Sequence, residues 1–410
     1  MNPAPRRHDI DALRILAFAS LIFFHCAMAY VAGWDWHIKS THTAEWLQYP
    51  MLFLNRWRME LLFLISGLAL SFLRRRSGGL RLAWMRSRRL LLPLLFGMAV
   101  VVPLQPYIQG VGNGLVEPGF WRFLLRYWSG GPWPPQAFDG WQFGVTWNHL
   151  WYLAYVWVYT MLLLALSPLL QSGAGRAVQT AVGRLRGPAL LFLPALPLTL
   201  WALLWQSRFP TTGDLIHDWF MHAQYFTFFL YGHWLGTDTG IWAELQQLRR
   251  RALAYALVFV SVYLFLIKVL PDDIGPDQSL TVIAVRWLRW TYCWLAIAAV
   301  LGWAHHLLNR PFRWLPYATE AVFPWYVLHQ TLIVGLAYVL IPLHLGAVLE
   351  PALLLGGTVL GCALLHECLI RRTPWLRPLF GLDMRSKRSL PIMPLPMREA
   401  DHLRRLEDPA

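Results

Sequence analysis

Arg14 and His25 stand in an otherwise lipid-compatible stretch, Asp11-Ala-Leu-Arg-Ile-Leu-Ala-Phe-Ala-Ser-Leu-Ile-Phe-Phe-His25. An ionisable side chain is tolerated inside a bilayer where it faces protein or water, so both are candidates for function. On an α-helix the eleven-residue spacing places them within about 20° of one another and about 16 Å apart along the axis. One helix face then carries a cation near one membrane surface and an imidazole beyond the middle. An imidazole takes and returns a proton near neutral pH, which suits a general base. The plainer accounts are a histidine bonded to a neighbouring helix and an arginine that reaches back to the surface, with Asp11 as local partner.

Four further groups follow. Arg56-Trp-Arg58-Met-Glu60 precedes Leu61-Leu-Phe-Leu-Ile-Ser66-Gly67. Arg56 and Glu60 are spaced to pair on a helix, Arg58 has no evident partner, and Ser66-Gly67 permits close helix approach. Arg86-Ser-Arg-Arg89 lies at the basic end of the third span. It reads as a topological anchor or as a phosphate site, since guanidinium groups match phosphate geometry. Trp147-Asn-His149-Leu-Trp151 opens the fourth span, and Phe323-Pro-Trp-Tyr326-Val-Leu-His329-Gln lies within the ninth. Tyr326 and His329 share a helix face beside Pro324. No Walker A loop and no His-Glu-x-x-His occurs. His305-His306 has no acidic neighbour in sequence, and no metal is assigned to it.

These residues need a scaffold, and the composition names it. The chain has 410 residues, 57% hydrophobic and 14% charged, against about 25% charged for soluble domains. Apolar stretches near 20 residues recur throughout, which predicts an all-α polytopic membrane protein with about ten transmembrane helices. The spans are read near 10–32, 52–73, 90–105, 148–168, 188–205, 217–236, 252–270, 283–304, 319–341 and 350–370. The 24 Trp fit interfacial belts.

The net charge of +14 invites a nucleic-acid reading, but its distribution opposes it. Segments on one side hold 26 of the 36 Lys and Arg, and loops on the other hold Lys39, Arg122, Arg126 and Arg208. That is the positive-inside pattern, with N- and C-termini cytoplasmic. Asp272, Asp273 and Asp277 fall on the outer side. Six basic residues lie within or at the ends of spans, and five of them (Arg56, Arg58, Lys268, Arg286 and Arg289) sit near outer ends, where the rule predicts few. Residues 1–370 read as one membrane domain, the irregular outer loop 106–147 as a lid, and 371–410 as a basic cytoplasmic tail. All four cysteines lie in apolar stretches and read as free thiols. No cleavable leader is expected, because the first apolar segment continues into a full span.

The ordered set resembles the acyltransferase 3 family of membrane O-acyltransferases. The matches are Asp11-Ala-Leu-Arg14 with His25, Phe63-Leu-Ile-Ser66-Gly67, Arg86-x-x-Arg89, His149-Leu-Trp151-Tyr-Leu and Tyr326-Val-Leu-His329. Trp36-His37, Arg58-Met59 and Arg89 ahead of Pro93 look more like the branch containing succinyltransferases of periplasmic glucan synthesis. Glu60 has no secure counterpart.

The resemblance implies a bacterial inner-membrane enzyme. It would move an acetyl or succinyl group from cytoplasmic acyl-CoA to a hydroxyl of an extracytoplasmic glycan. His25 would be the catalytic base, by direct transfer or through an acyl-His25, and Arg14 would orient the donor or help hold charge developing at the thioester. Arg86 and Arg89 would hold donor phosphates. Arg58, Glu60, Ser66, His149, Trp151, Tyr326 and His329 would contact substrate. Acyl-CoA enters as co-substrate with no resident cofactor. The partners are the glycan, the bilayer and glycan-assembly proteins. The rival reading is a glycolipid or glycan transporter, which shares polar residues in spans; the spans show no inverted repeat.

Overall fold

A computed structural model describes residues 7–74, 78–236, 238, 240–271 and 279–384. The basic tail beyond Met384, the acidic group at 272–277, and Arg6, Arg75 and Arg76 lie outside the described residues. Among those described the chain is helical, and one isolated bridge joins Val31 to Ala44. The helices include α1 (His8–Met28), α2 (Arg58–Arg74), α3 (Gly79–Phe96), α4 (Leu104–Gly112), α5 (Trp151–Ala165), α6 (Ala195–Trp205), α7 (Trp219–Leu235), α8 (Gly240–Val269), α9 (Leu280–Leu308), α10 (Leu315–Leu340) and α11 (Gly346–Leu364).

Among the described residues six helices are long and apolar enough to cross a membrane, and a seventh crossing arises if α3 and α4 count as one span bent by 41°. The molecule is therefore a polytopic helical membrane protein. The bend falls at Pro103, after a π-helical turn Gly97–Val101. Proline removes a backbone donor there, and π turns commonly mark such breaks. The expected spans at 52–73, 148–168 and 217–236 appear as α2, α5 and α7, of 17, 15 and 17 residues. At 1.5 Å per residue these reach about 22–26 Å. Length alone does not make them full crossings. The N-terminal ends of α2 and α5 stop at a large cavity.

Helix α9 sits in the bundle interior, with Trp290, Tyr292, Cys293, Leu295 and Ile297 buried. Its start is fixed by Ser279, whose side chain accepts from the Val282 backbone N–H. Helix α8 turns Leu257, Val258, Phe265 and Val269 outward, as a lipid-facing helix must.

Helices α2 and α7 approach closely. A Cβ added at Gly67 would sit 1.8 Å from the Phe229 carbonyl oxygen, and one at Gly232 1.8 Å from that of Leu64. Backbone meets backbone here because glycine leaves the surface flat. Gly67→Leu should destabilise the protein by about 2 kcal/mol or more, since neither carbonyl can retreat within its helix. Thermal unfolding of the detergent-solubilised variant checks this, and an unchanged midpoint would deny the contact.

The basic end is tied together by a group missed in the sequence. Asp9, fully buried, accepts from Arg7 at 2.7 Å and from His305 Nδ1 at 2.8 Å. This corrects the reading of His305 as lacking an acidic partner. The partner lies 296 residues away and is brought in by packing of α1 on α9. The loop expected to be irregular also holds structure of its own. It carries α4 and a helix Phe120–Trp128, with Phe123, Tyr127, Trp133 and Phe138 packed together.

Candidate active site

A cavity of about 940 Å³ opens among α1, α2, α5, α7 and α10, capped by loops at the end opposite Arg7 and Arg86. Its size suits a substrate pocket. Its walls include His25 from α1, Arg58 and Glu60 from α2, Trp151 and Tyr152 from α5, Tyr225 from α7, Arg289 from α9 and Tyr326 from α10. Segments 139–149 and 211–216 form the rim. Asn148 and Leu215 in these loops have φ of 42° and 65°, values uncommon for residues other than glycine. Their backbones are held by cross-bonds: Trp147 Nε1 donates to the Gly213 carbonyl, and the Leu215 N–H donates to the Tyr155 hydroxyl.

His25 is half-buried. Its Nδ1 lies 3.0 Å from His329 Nε2, and the two rings lie nearly in parallel planes, 7° apart with centroids 5.1 Å apart, edge to edge across that bond. His329 is buried, and its Nδ1 lies 2.7 Å from the Tyr326 carbonyl oxygen. Trp36, from the loop after α1, packs its ring on His25 at 5.5 Å. Lys39 donates to the Met28 and Val31 carbonyls and so closes the end of α1 that bears His25. His329 is not on the cavity wall. It stands behind His25, which places it against a side chain rather than against a bound molecule.

His149 lines the cavity, yet both its ring nitrogens face protein. Nε2 donates to the Val327 carbonyl at 3.1 Å, and Nδ1 lies 3.4 Å from Gln105 Nε2. The Tyr326 hydroxyl donates to the His149 carbonyl at 2.6 Å. These bonds lock α10 to the start of α5.

Gln105, fully buried, is the hub of this network and was not picked out in the sequence. Its oxygen accepts from Asn148 and Gln330, and its nitrogen donates to Thr331. Gln330 in turn donates to His37 Nε2 at 3.0 Å, while His37 Nδ1 donates to Gln109. Burial pushes the His37 imidazole below its ordinary range, opposed by Asp139 and by the bond to Gln109. Gln105 stands between Pro103 and Pro106, where a polar residue in an apolar segment was the available signal.

Arg58 is 3% exposed, and its guanidinium lies 3.7 Å over the Phe24 ring. Its Nε and Nη1 atoms bond to nothing among the described residues. The Nε atoms of Arg56 and Arg289 and Oε2 of Glu60 are likewise unbonded. All four side chains face the cavity. The expected helical pairing of Arg56 with Glu60 does not form, because the chain turns at Arg56-Trp57 and α2 begins at Arg58. The cavity thus carries three arginines and Glu60 on its wall, with Asp139 and Asp214 on its rim, and hydrogen-bond donors of the arginines are left over.

Arg14, Arg86 and Arg89 do not line this cavity. Arg14 and Arg86 lie off the cavity wall, within electrostatic reach of Tyr152, which does line it. Between them and His25 stands an aromatic septum. Phe18 meets Tyr326 at 5.0 Å and Tyr152 at 6.2 Å, and the two tyrosines meet at 6.2 Å. Ser66 does not reach the cavity. Its hydroxyl pairs with that of Tyr152 at 2.6 Å, and Tyr152 also donates to the Leu62 carbonyl. Ser66 therefore holds the septum, and Trp151 packs beside it against Phe63 and Tyr225. Among the described residues no group of His, Cys, Asp and Glu could hold a metal.

The sequence matches the family described as an acyltransferase domain over residues 7–367. Glucans biosynthesis protein C of Shigella dysenteriae serotype 1 (strain Sd197) is 35% identical over 69 residues, which is 16% of this chain and 18% of that protein. No solved structure matches this one. The match to the acyltransferase domain takes in every helix that builds the cavity, and the chain belongs to the acyltransferase 3 family.

Proposed function

We propose that this protein transfers an acyl group from a cytoplasmic acyl-CoA to a hydroxyl of an extracytoplasmic glycan, with a succinyl donor preferred over acetyl. The carrying observation is the position of His25, whose ring borders a large cavity at one end of the bundle while Arg14 and Arg86 gather behind a thin aromatic septum. With the basic side cytoplasmic by the charge rule, the cavity opens outward, toward a periplasmic acceptor. The partial likeness to a protein named for glucan biosynthesis supports a glucan as that acceptor.

In this reading His25 takes the proton of the acceptor hydroxyl as the oxygen attacks the thioester carbon. The carbon–sulfur bond breaks, and the imidazolium returns the proton to the departing thiolate. Arg14 faces the donor below the septum. The acyl end crosses between Phe18 and Tyr152, so both rings must move during the cycle. Arg86 and Arg89 hold the donor phosphates. Arg89→Ala should raise the donor KM about tenfold, the loss of one charge-assisted contact, with kcat nearly unchanged. Titration of acyl-CoA at saturating acceptor reads this, and an unchanged KM rejects the phosphate site.

The defining experiment places the purified chain in liposomes with acyl-CoA on the basic side and an oligosaccharide on the other. Mass spectrometry should find the acceptor heavier by one acyl group. A cavity open to one side is also what a transporter presents. Movement of glycan without added acyl mass would establish that reading instead.

A further inference from the structure

His25 has two nitrogens, and its chemistry depends on which carries hydrogen. The partners decide it. The Tyr326 carbonyl oxygen, 2.7 Å from His329 Nδ1, can only accept, so His329 carries hydrogen at Nδ1. With both rings neutral, His329 Nε2 is then a lone pair. It lies 3.0 Å from His25 Nδ1, which must therefore be the donor. His25 Nε2 is left as a lone pair, on a ring that borders the cavity. The near-parallel setting of the two hydrogen-bonded rings, 7° apart, and the packed Trp36 ring hold the imidazole in that plane.

We infer that His329 is a positioning residue that fixes His25 in the Nδ1–H tautomer and so presents a basic Nε2 to the acceptor hydroxyl. This rests on the role proposed for His25. The arrangement places a neutral imidazole, anchored on a backbone carbonyl, where hydrolytic triads place a carboxylate. When His25 gains a proton at Nε2, its Nδ1–H bond to His329 becomes charge-assisted and strengthens. His329 therefore acts more on the transition state than on the bound substrate. The carbonyl exists at the right place because His329 reaches back one turn, to residue 326, on the same helix face. His149 and Gln105 fix that turn from behind through the Val327 carbonyl and Thr331.

Two measurements on the full-length reconstituted chain test this. In nitrogen-15 histidine spectra of the native protein, His25 should show its hydrogen on Nδ1 and an unprotonated Nε2. Hydrogen on Nε2 overturns the inference without reference to activity. In kinetics, His329→Leu should lower kcat on the order of 10²-fold, within the range of acid–base contributions, and leave both KM values within about threefold. His329→Gln places an amide oxygen near the former Nε2 and should recover at least tenfold of that loss. His329→Leu with native kcat, or His329→Gln as inactive as His329→Leu at equal membrane level, also overturns it. The parallel His25→Ala variant separates the two claims. If it is active, the role of His25 itself fails; if it is inactive while His329→Leu is not, only the positioning role fails.

Discussion

His25→Ala should abolish acyl transfer, with kcat down at least 10³-fold at unchanged membrane level. General-base catalysis contributes about 10²–10⁴-fold. The upper part of that range applies because, among the described residues, no other histidine offers a free nitrogen on the cavity wall; removing His25 frees His329 Nε2, but that ring stands behind the wall. His329 spends one nitrogen on a carbonyl and the other on His25, and His149 faces Val327 and Gln105. His37 bonds Gln109 and Gln330. His25→Gln keeps volume and polarity but not the base, and should be as inactive as His25→Ala. The His25 ring meets His329, Trp36 and Phe24 on its protein side and borders the cavity on the other, so each variant is compared at equal membrane level. Glycan mass spectrometry, set beside quantification of the protein in membranes, decides the matter. Full acylation in either variant would remove the base assignment. A trapped acyl group on His25 in the native protein would show that transfer runs in two steps through the imidazole.

Much of this site was legible from residue types, because ionisable side chains are rare in apolar helices and their spacing is readable. Arg14, His25, Arg58, His149, Tyr326 and His329 were all found that way. What periodicity could not reveal was who meets whom. The bond from His25 to His329 spans 304 residues, and that from Asp9 to His305 spans 296. Both depend on helices packing in an order the pattern does not encode. Spacing misled at Arg56 and Glu60, where a turn interrupts the helix that an i,i+4 pair requires. It also could not separate a satisfied polar group from an unsatisfied one. Ser66 and His149 matched as substrate contacts, but their hydrogen bonds go to Tyr152, Val327 and Gln105. Gln105, uncharged and flanked by prolines, carried the faintest signal and holds the most bonds. The span count shows the same limit. The apolar runs at α2, α5 and α7 are real, but the helices are cut short where the cavity begins.

Arg58→Gln should lower kcat/KM for a succinyl donor by about 10²–10³-fold while changing that for an acetyl donor by less than threefold. The argument begins from cost. A buried guanidinium with open donor positions is unfavourable unless something completes it. Neither Glu60 nor the rim carboxylates Asp139 and Asp214 complete the three arginines, and Glu60 Oε2 is itself unbonded. An acyl chain ending in a carboxylate would supply the missing acceptor at the cavity wall, within reach of Arg58 and with Arg56 and Arg289 adding charge. Losing one member of a buried charge pair costs about 3–5 kcal/mol, which at 1.36 kcal/mol per decade is roughly the stated range. The acetyl group makes no such pair, so it gains nothing from Arg58. The native protein should accordingly discriminate against acetyl, since a site with unmet donors rejects a substrate lacking the acceptor. Arg58→Gln should narrow that discrimination by lowering succinyl transfer rather than by raising acetyl transfer. Competition between the two donors, read from the mass of the acylated oligosaccharide, gives the ratio directly. Equal losses for both donors would mean that Arg58, stacked on Phe24 beside His25, serves the helix junction rather than the acyl chain.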